Sequence, residues 1–299
     1  MQKSRVALVR GDDRYANVLQ ALQSIQDDIH LAGKRRITIK LNFVSIRRPL
    51  SATHPDAVRA VLDYLKARGV DDVTLAEGPS AGAFREGLRA YGYQDLIARY
   101  RPKVVDLNRD ESLEVTLYDR ELRPLPLRVA RTMMQSDYRI SVGPPKTHDT
   151  VNVTLSLKNI AVGSLVGPNK GRFHQGYPAV NLSLYKLALH IAPHLSILDG
   201  FQAMEGAGPV GGDPVDWRIA IASTDFLAAD SLACQLMGFP LEDIGYLYYC
   251  HLKGLGRGTL EGMELVGNAT FEQVRREFKP HRAHESQLAW RIPNVERYL

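Results

Sequence analysis

The chain is predicted to fold as an α/β protein: a mainly parallel sheet with helices on its faces, arranged as two lobes with a cleft between them. Three observations predict this. Short runs rich in β-branched residues alternate with stretches whose apolar residues recur at helical spacing. The length, 299 residues, is about twice that of an ordinary domain, and 44% of the residues are hydrophobic, so a large core can form without staples. No stretch repeats at a fixed period and none is of low complexity, which sets solenoids and arrays aside.

The elements follow in order. Strand-like runs fall at 6–10, 36–43, 72–76, 103–107 and 139–142. Between them the clearest helix opens at Thr53, read as its N-cap, with Pro55 in the first turn. Val58, Val61, Leu62 and Leu65 then fall on one face, and Gly69 closes it. A second helix is expected over 84–100, and others over 179–191, 226–237, 242–253 and 271–278. Strands at 195–198 and 217–223 lie among them. The segment 113–127 reads as a small antiparallel excursion, and a lobe boundary near residue 130 would divide the chain into 1–130 and 131–299. The tail 280–299 carries no usable pattern.

Composition excludes several classes. Cys234 and Cys250 are too few for a disulfide framework or for the four thiolates of an iron–sulfur cluster, so no such cluster is expected to be ligated within this chain. Charges at Lys3, Arg5 and Arg10 leave no apolar leader core, and no run approaches the ~18 apolar residues of a membrane span. A cytoplasmic protein without membrane contact is expected. The net charge is +5, and the basic residues come in small clusters without an interleaved aromatic stripe. That pattern argues against nucleic acid and for an anionic small molecule, because a pocket needs only a few convergent cations.

In an open parallel sheet ligands sit beyond the carboxyl ends of the strands, so the segments that follow each strand hold the candidates. The run Gly143-Pro144-Pro145 must leave the sheet and would carry Lys146 and His148 to its edge. In 151–159 the apolar Val151, Val153, Leu155 and Leu157 alternate with Asn152, Thr154, Ser156 and Lys158, as a strand walling a polar cavity would, with a helix left open for its end. Residues 163–176 combine Gly163, Gly167, Gly171 and Gly176 with Lys170, Arg172 and His174, a chemistry suited to a phosphate or carboxylate, although no P-loop spacing is present. The GxGxxG match at Gly206–Gly211 contains Pro209 and is followed by Gly212-Asp213-Pro214, so it reads as a tight loop and not a dinucleotide site. Asp199 and Glu205 could bind a cation, orient a lysine or simply pair structurally. His54 could face the same strand ends as His148 or cap its helix.

Taken together, Ile39-Lys40-Leu41-Asn42, Thr53-His54-Pro55, Ala76-Glu77-Gly78-Pro79-Ser80, Pro145-Lys146-Thr147-His148, Leu157-Lys158-Asn159, His174, Asp199-Gly200, Glu205 to Pro209 and Ala229-Asp230 resemble, in that order, the domain of unknown function 362 family over nearly the whole chain. Some members of that family append a ferredoxin module, which this chain lacks. More remotely, His148, Lys158 and His174 are similar in spacing to the His-x9-Lys-x15-His run of the nickel-pincer-nucleotide lactate racemases, and Arg48-Pro49 resembles their early arginine–proline pair. The resemblance implies a general base at His148, a cofactor-tethering lysine at Lys158 and a nickel ligand at His174. Those enzymes carry a second histidine where this chain reads Gly78-Pro79-Ser80. A serine cannot replace an imidazole as proton acceptor on the second face of a substrate carbon, so racemisation of lactate itself is not expected.

Two functional readings follow. In the first, an enzyme binds an anionic small molecule, or a phosphorylated or metal cofactor such as a nickel-pincer nucleotide, in the cleft. It carries out isomerisation or redox chemistry at a hydroxy-acid-like carbon. His148, Lys158 and Lys146 are the catalytic candidates. Lys158, Lys170, Asn159, Lys40, Asn42 and Arg48 are expected to bind the cofactor, and His174 the metal. Lys158 could serve as anchor or as nucleophile. In the second, the same cleft holds an anion, or accepts electrons from a separate ferredoxin-type partner, without chemistry of its own.

Overall fold

A computed structural model describes residues 3–299. The strands are β1 (Ser4–Arg10), β2 (Ile37–Lys40), β3 (Val73–Glu77), β4 (Lys103–Asp106), β5 (Ser112–Tyr118), β6 (Pro124–Ala130), β7 (Tyr138–Gly143), β8 (Lys146–His148), β9 (Asn152–Thr154), β10 (Leu195–Glu205), β11 (Asp213–Ser223) and β12 (Met263–Gly267). Ten of these form one sheet in the order β12-β1-β11-β10-β7-β2-β3-β4, with β8 attached to β10 and β9 to β8. The β10-β7-β2-β3-β4 half is parallel, whereas β11 runs antiparallel to both β10 and β1. The fold is therefore mixed α/β around a large, mostly parallel sheet.

Alternation along the strands divides the core. On β1, Ala7 and Val9 join one apolar cluster and Val6 and Leu8 the other, and on β11 Ala220 and Ala222 part from Ile219 and Ile221 in the same way. The first cluster is closed by helices Arg14–Ser24 and Pro55–Lys66, which bury Val18, Leu22, Val58, Val61 and Leu65. The second is closed by helices Ser156–Gly163, Tyr177–Ile191, Phe226–Leu236 and Gly245–Leu252. Central strands β2 and β7 are buried on both sides: Ile37, Ile39, Ile140 and Val142 join the first cluster, and the alternating polar residues Thr38, Lys40 and Ser141 are buried as well.

Several expected elements are redrawn. The helix over 84–100 is two helices, Phe84–Ala90 and Gln94–Tyr100, because Gly92 between them takes a left-handed φ of 74°. Thr53 is not the N-cap of its helix. Its hydroxyl donates to Val142 O at 2.7 Å and accepts from Asn42 N at 2.7 Å, tying β2 to β7, while His54 Nδ1 caps by accepting from Asp56 N. The helix over 271–278 stops at Val274, and β10 and β11 run well beyond the expected 195–198 and 217–223. Segment 113–127 is the antiparallel hairpin of β5 and β6. Residue 130 falls at the end of that hairpin, yet strands from both sides of it alternate in the main sheet, β1 lying between β11 and β12. No helix among the described residues is long and apolar enough to cross a membrane.

The most consequential detail concerns 151–159, read as extended with a helix left open for its end. The strand ends at Thr154 and helix Ser156–Gly163 begins. Its local propensity is weak, but the buried Asp230 carboxylate, from another helix, accepts Ser156 N–H through one oxygen and Leu157 N–H through the other, each at 2.9 Å. A side chain distant in sequence thus satisfies two of the N–H groups that any helix start leaves open, and these two bonds oppose the burial that raises its pKa to about 7.

Asp230→Asn keeps the shape but turns an NH2 group toward one of these N–H groups. Orphaning one buried donor costs about 1–3 kcal/mol. Urea unfolding should show a lower midpoint at unchanged m-value; an unchanged midpoint would mean that the carboxylate does not hold the helix.

Candidate functional site

The carboxyl ends of β2 and β3 place Lys40 and Glu77 side by side. Lys40 Nζ donates to Glu77 Oε2 at 2.7 Å, Leu41 O at 2.6 Å and Asn159 Oδ1 at 3.1 Å. Glu77 in turn accepts Gly78 N–H at 2.8 Å and Phe43 N–H at 3.1 Å, so both members of this buried pair are saturated. After β7 the two prolines carry the chain out of the sheet as expected. It then re-forms as β8, with His148 paired to Asn152 and Lys146 to Thr154 of β9. Lys146 and His148, two residues apart, share one side of β8, and Thr147 turns the other way to donate to Gly206 O at 3.0 Å.

These strand ends and helix Ser156–Gly163 enclose a cavity of about 290 Å³. Of the residues expected to act, Lys40, Asn42, His148, Lys158, Asn159 and His174 line it together. Lys146 does not. Its ammonium turns beneath the cavity, to Asn42 Oδ1 at 2.9 Å and Ser51 O at 2.6 Å. Lys170 lies in an adjoining hollow, bound to Leu165 O at 2.6 Å and to Asn108 Oδ1. Arg48 is elsewhere, donating to Gly212 O at 2.9 Å. Asp199 pairs with Arg14 at 3.0 Å, and Glu205 accepts Lys279 N–H at 2.9 Å, so both are structural.

Lys158 differs from the other buried lysines. It is only 5% exposed, yet its amine forms no hydrogen bond or ion pair with a described residue. It stands in the first turn of its helix, where the macrodipole opposes a cation. Burial lowers its pKa to about 8, against some opposition from the Asp149 charge. The Thr154 hydroxyl, buried in the same wall, also has no partner.

Burial, then the Lys158 charge, brings the pKa of His148 down to about 3, so the ring is neutral. Its Nδ1 meets two partners of opposite demand, Asp149 Oδ1 at 3.0 Å and Thr150 N–H at 3.0 Å. The charged acceptor is the stronger, which assigns the ring proton to Nδ1 and leaves Nε2 as an acceptor. His174, exposed at the rim, donates Nδ1–H to Lys170 O at 2.8 Å, which likewise leaves its Nε2 lone pair free. Partial loss of hydration and the Lys158 charge lower its pKa too. A carbonyl holding the far ring nitrogen is the usual support for a metal-binding histidine. Among the described residues, however, no three His, Cys, Asp or Glu side chains gather to hold a metal ion by themselves.

Sequence reasoning set Thr154 on a polar cavity wall but passed over Glu77, Asp149 and Asp230 as site residues. Glu77 ends a strand immediately before Gly78-Pro79, the same signal that marked Lys146 and His148. Asp230 has no local signal, because its partners lie far away along the chain.

The family described as "Domain of unknown function (DUF362)" matches residues 37–235. The thylakoid-associated protein sll1697 of Synechocystis sp. is 28% identical over 209 residues, covering 68% of this chain and 63% of that protein. Among solved structures, the lactate racemase apoprotein from Thermoanaerobacterium thermosaccharolyticum is similar in fold, with a TM-score of 0.51 at 12% identity over 79% of this chain and 57% of that one. The chain spans less than two thirds of the length of either.

An unpaired amine in this setting should show itself. Acylation of Lys158 by a neutral amine reagent should rise with pH to half its maximum at about 8, since deprotonation creates the nucleophile, whereas surface lysines need pH values near 10.5. Site-resolved mass spectrometry across a pH series measures this. A Lys158 profile superimposed on that of the surface lysines would contradict the assignment.

Proposed function

The chain belongs to the domain of unknown function family DUF362, and we propose that it is an enzyme acting on a small anionic molecule at a hydroxy-acid-like carbon, by isomerisation or redox chemistry. The observation that carries this reading is the contrast among four buried lysines: Lys40, Lys146 and Lys170 are each held by at least two protein acceptors, and Lys158, with none among the described residues, offers its whole amine to the cavity that His148 also lines. In the reaction His148 Nε2 receives the hydroxyl proton of the ligand, while Asp149 steadies the resulting imidazolium through Nδ1. Lys158 holds the ligand or cofactor, and Asn42 and Asn159 orient its polar groups. Lys146 and Lys40 support these groups from behind, Lys146 by fixing Asn42 and Lys40 by fixing Asn159.

A pincer-type metal nucleotide fits the donor set: Lys158 has the free amine such a group would be tethered to, and His174 has one lone pair for its metal. When bound it would supply a two-electron acceptor. Support for this branch is the similarity in fold to a lactate racemase together with the His–Lys–His spacing. The cavity wall carries Ser80 in the loop where a second histidine would stand, so the reaction proposed has one imidazole base and is not racemisation of lactate. We place it in the cytoplasm, beside a relative named as thylakoid-associated.

Protein purified from its native host should carry a mass adduct on the peptide containing Lys158 or a transition metal near one per chain by elemental analysis, and Lys158→Arg should lose it. Absence of both from the native protein would remove the metal-cofactor branch. His148→Gln should leave ligand affinity within about twofold while turnover falls by about 10²–10⁴, the range expected for loss of a general base. Ligand binding with no turnover in the unaltered protein would instead make the cavity a carrier site.

A further inference from the structure

Beside the cavity lies a second, shallower hollow of about 550 Å³, and the two meet at Ser80 and His174. Its chemistry differs from that of the inner cavity. Glu77 and Asp149 are among the residues of the inner cavity, whereas no carboxylate lines the outer one. The titratable groups there are Lys170 and His174, with the Ser80 hydroxyl and the Asn108 amide as neutral partners. Gly167 and Gly171 leave the backbone open along one side.

Lys170 is buried, and two of its three ammonium protons go to Leu165 O and Asn108 Oδ1. One remains. The carboxylates that influence it are committed elsewhere: Glu77 is bound to Lys40 and to two N–H groups, and Asp106 accepts Asn108 N–H at 3.0 Å. The lysine therefore faces the hollow with a charge that no direct ion pair cancels. Buried charges are retained where something compensates them, and here the open side is the hollow itself.

We propose that the ligand of the inner cavity bears a phosphate-like tail, and that this tail occupies the outer hollow against Lys170 and Ser80, with the rest of the molecule passing His174 into the cavity. The proposal rests on the reading of the inner cavity as a ligand site and narrows it to phosphorylated or similarly tailed molecules. A tetrahedral anion suits the place better than an extended apolar group. Its oxygens can take donors from several directions at once, and glycine backbone lets it approach closely.

Titration calorimetry with inorganic phosphate at fixed ionic strength tests the assignment without knowledge of the natural ligand. Wild-type protein should bind phosphate saturably. Lys170→Met should weaken binding by about tenfold or more, as should Gly171→Leu, where an added Cβ meets no protein atom within 4 Å, leaving room for a longer side chain to enter the hollow. Lys158→Met should bind phosphate as wild type does. Loss of binding in Lys158→Met with retention in Lys170→Met and Gly171→Leu would put the anion in the inner cavity and overturn the proposal. Absence of saturable binding to the wild-type protein would overturn it as well. Either result is separable from failure of the functional reading, which shows in the native adduct and metal content and not in phosphate affinity.

Discussion

The strand ends of this protein depend on how lysine ammonium groups are kept inside it. Lys40 is possible there only because Glu77, Leu41 O and Asn159 surround it, and the pair holds together because Glu77 is itself fixed by backbone N–H groups. Removing one member of such a buried pair leaves an uncompensated charge, which is far costlier than never having the pair. The Lys40–Glu77 bridge therefore fixes β2 against β3 and, through Asn159, both strands against helix Ser156–Gly163. Gly163 is part of the same constraint, since a Cβ there would lie 2.3 Å from Lys40 Nζ. The cavity is the space left over when these groups are satisfied.

Much of the architecture was legible in the chain. Ile37, Ile39 and Leu41, and likewise Ile140 and Val142, recur at every second residue, which marks one apolar face on each strand, and the helix from Pro55 declared itself by Val58, Val61, Leu62 and Leu65. Errors, and choices left open, arose where a distant group decided local structure. Residues 151–159 alternate like a strand, but the carboxylate of Asp230 turns the second half into a helix, and no window of sequence around Lys158 contains that carboxylate. Thr53 has the chemistry of an N-cap, yet Val142 O and Asn42 N–H, brought near by sheet formation, outbid the helix for its hydroxyl.

The site was legible in its residue types and less so in its division of labour. His148, Lys158 and His174 do line one cavity, with Lys40, Asn42 and Asn159 among them. The four lysines looked alike in sequence, and only their acceptors separate them. Ser51 O and Leu165 O, backbone atoms that no residue pattern advertises, are what turn Lys146 and Lys170 away from the inner cavity. Arg48 was drawn in by its proline neighbour and is instead tied to Gly212 O.

The position of β1 bears on how the molecule comes to exist. β1 leaves the ribosome long before its neighbours β11 and β12, which begin at Asp213 and Met263, so its edges stay open until about two hundred further residues have been synthesised. Pairings this distant are slow to find, and an unpaired strand is an adhesive surface while it waits. A nascent chain of this topology should lean on holding chaperones, and an expression fragment ending at residue 130 would be born with β1 permanently bare.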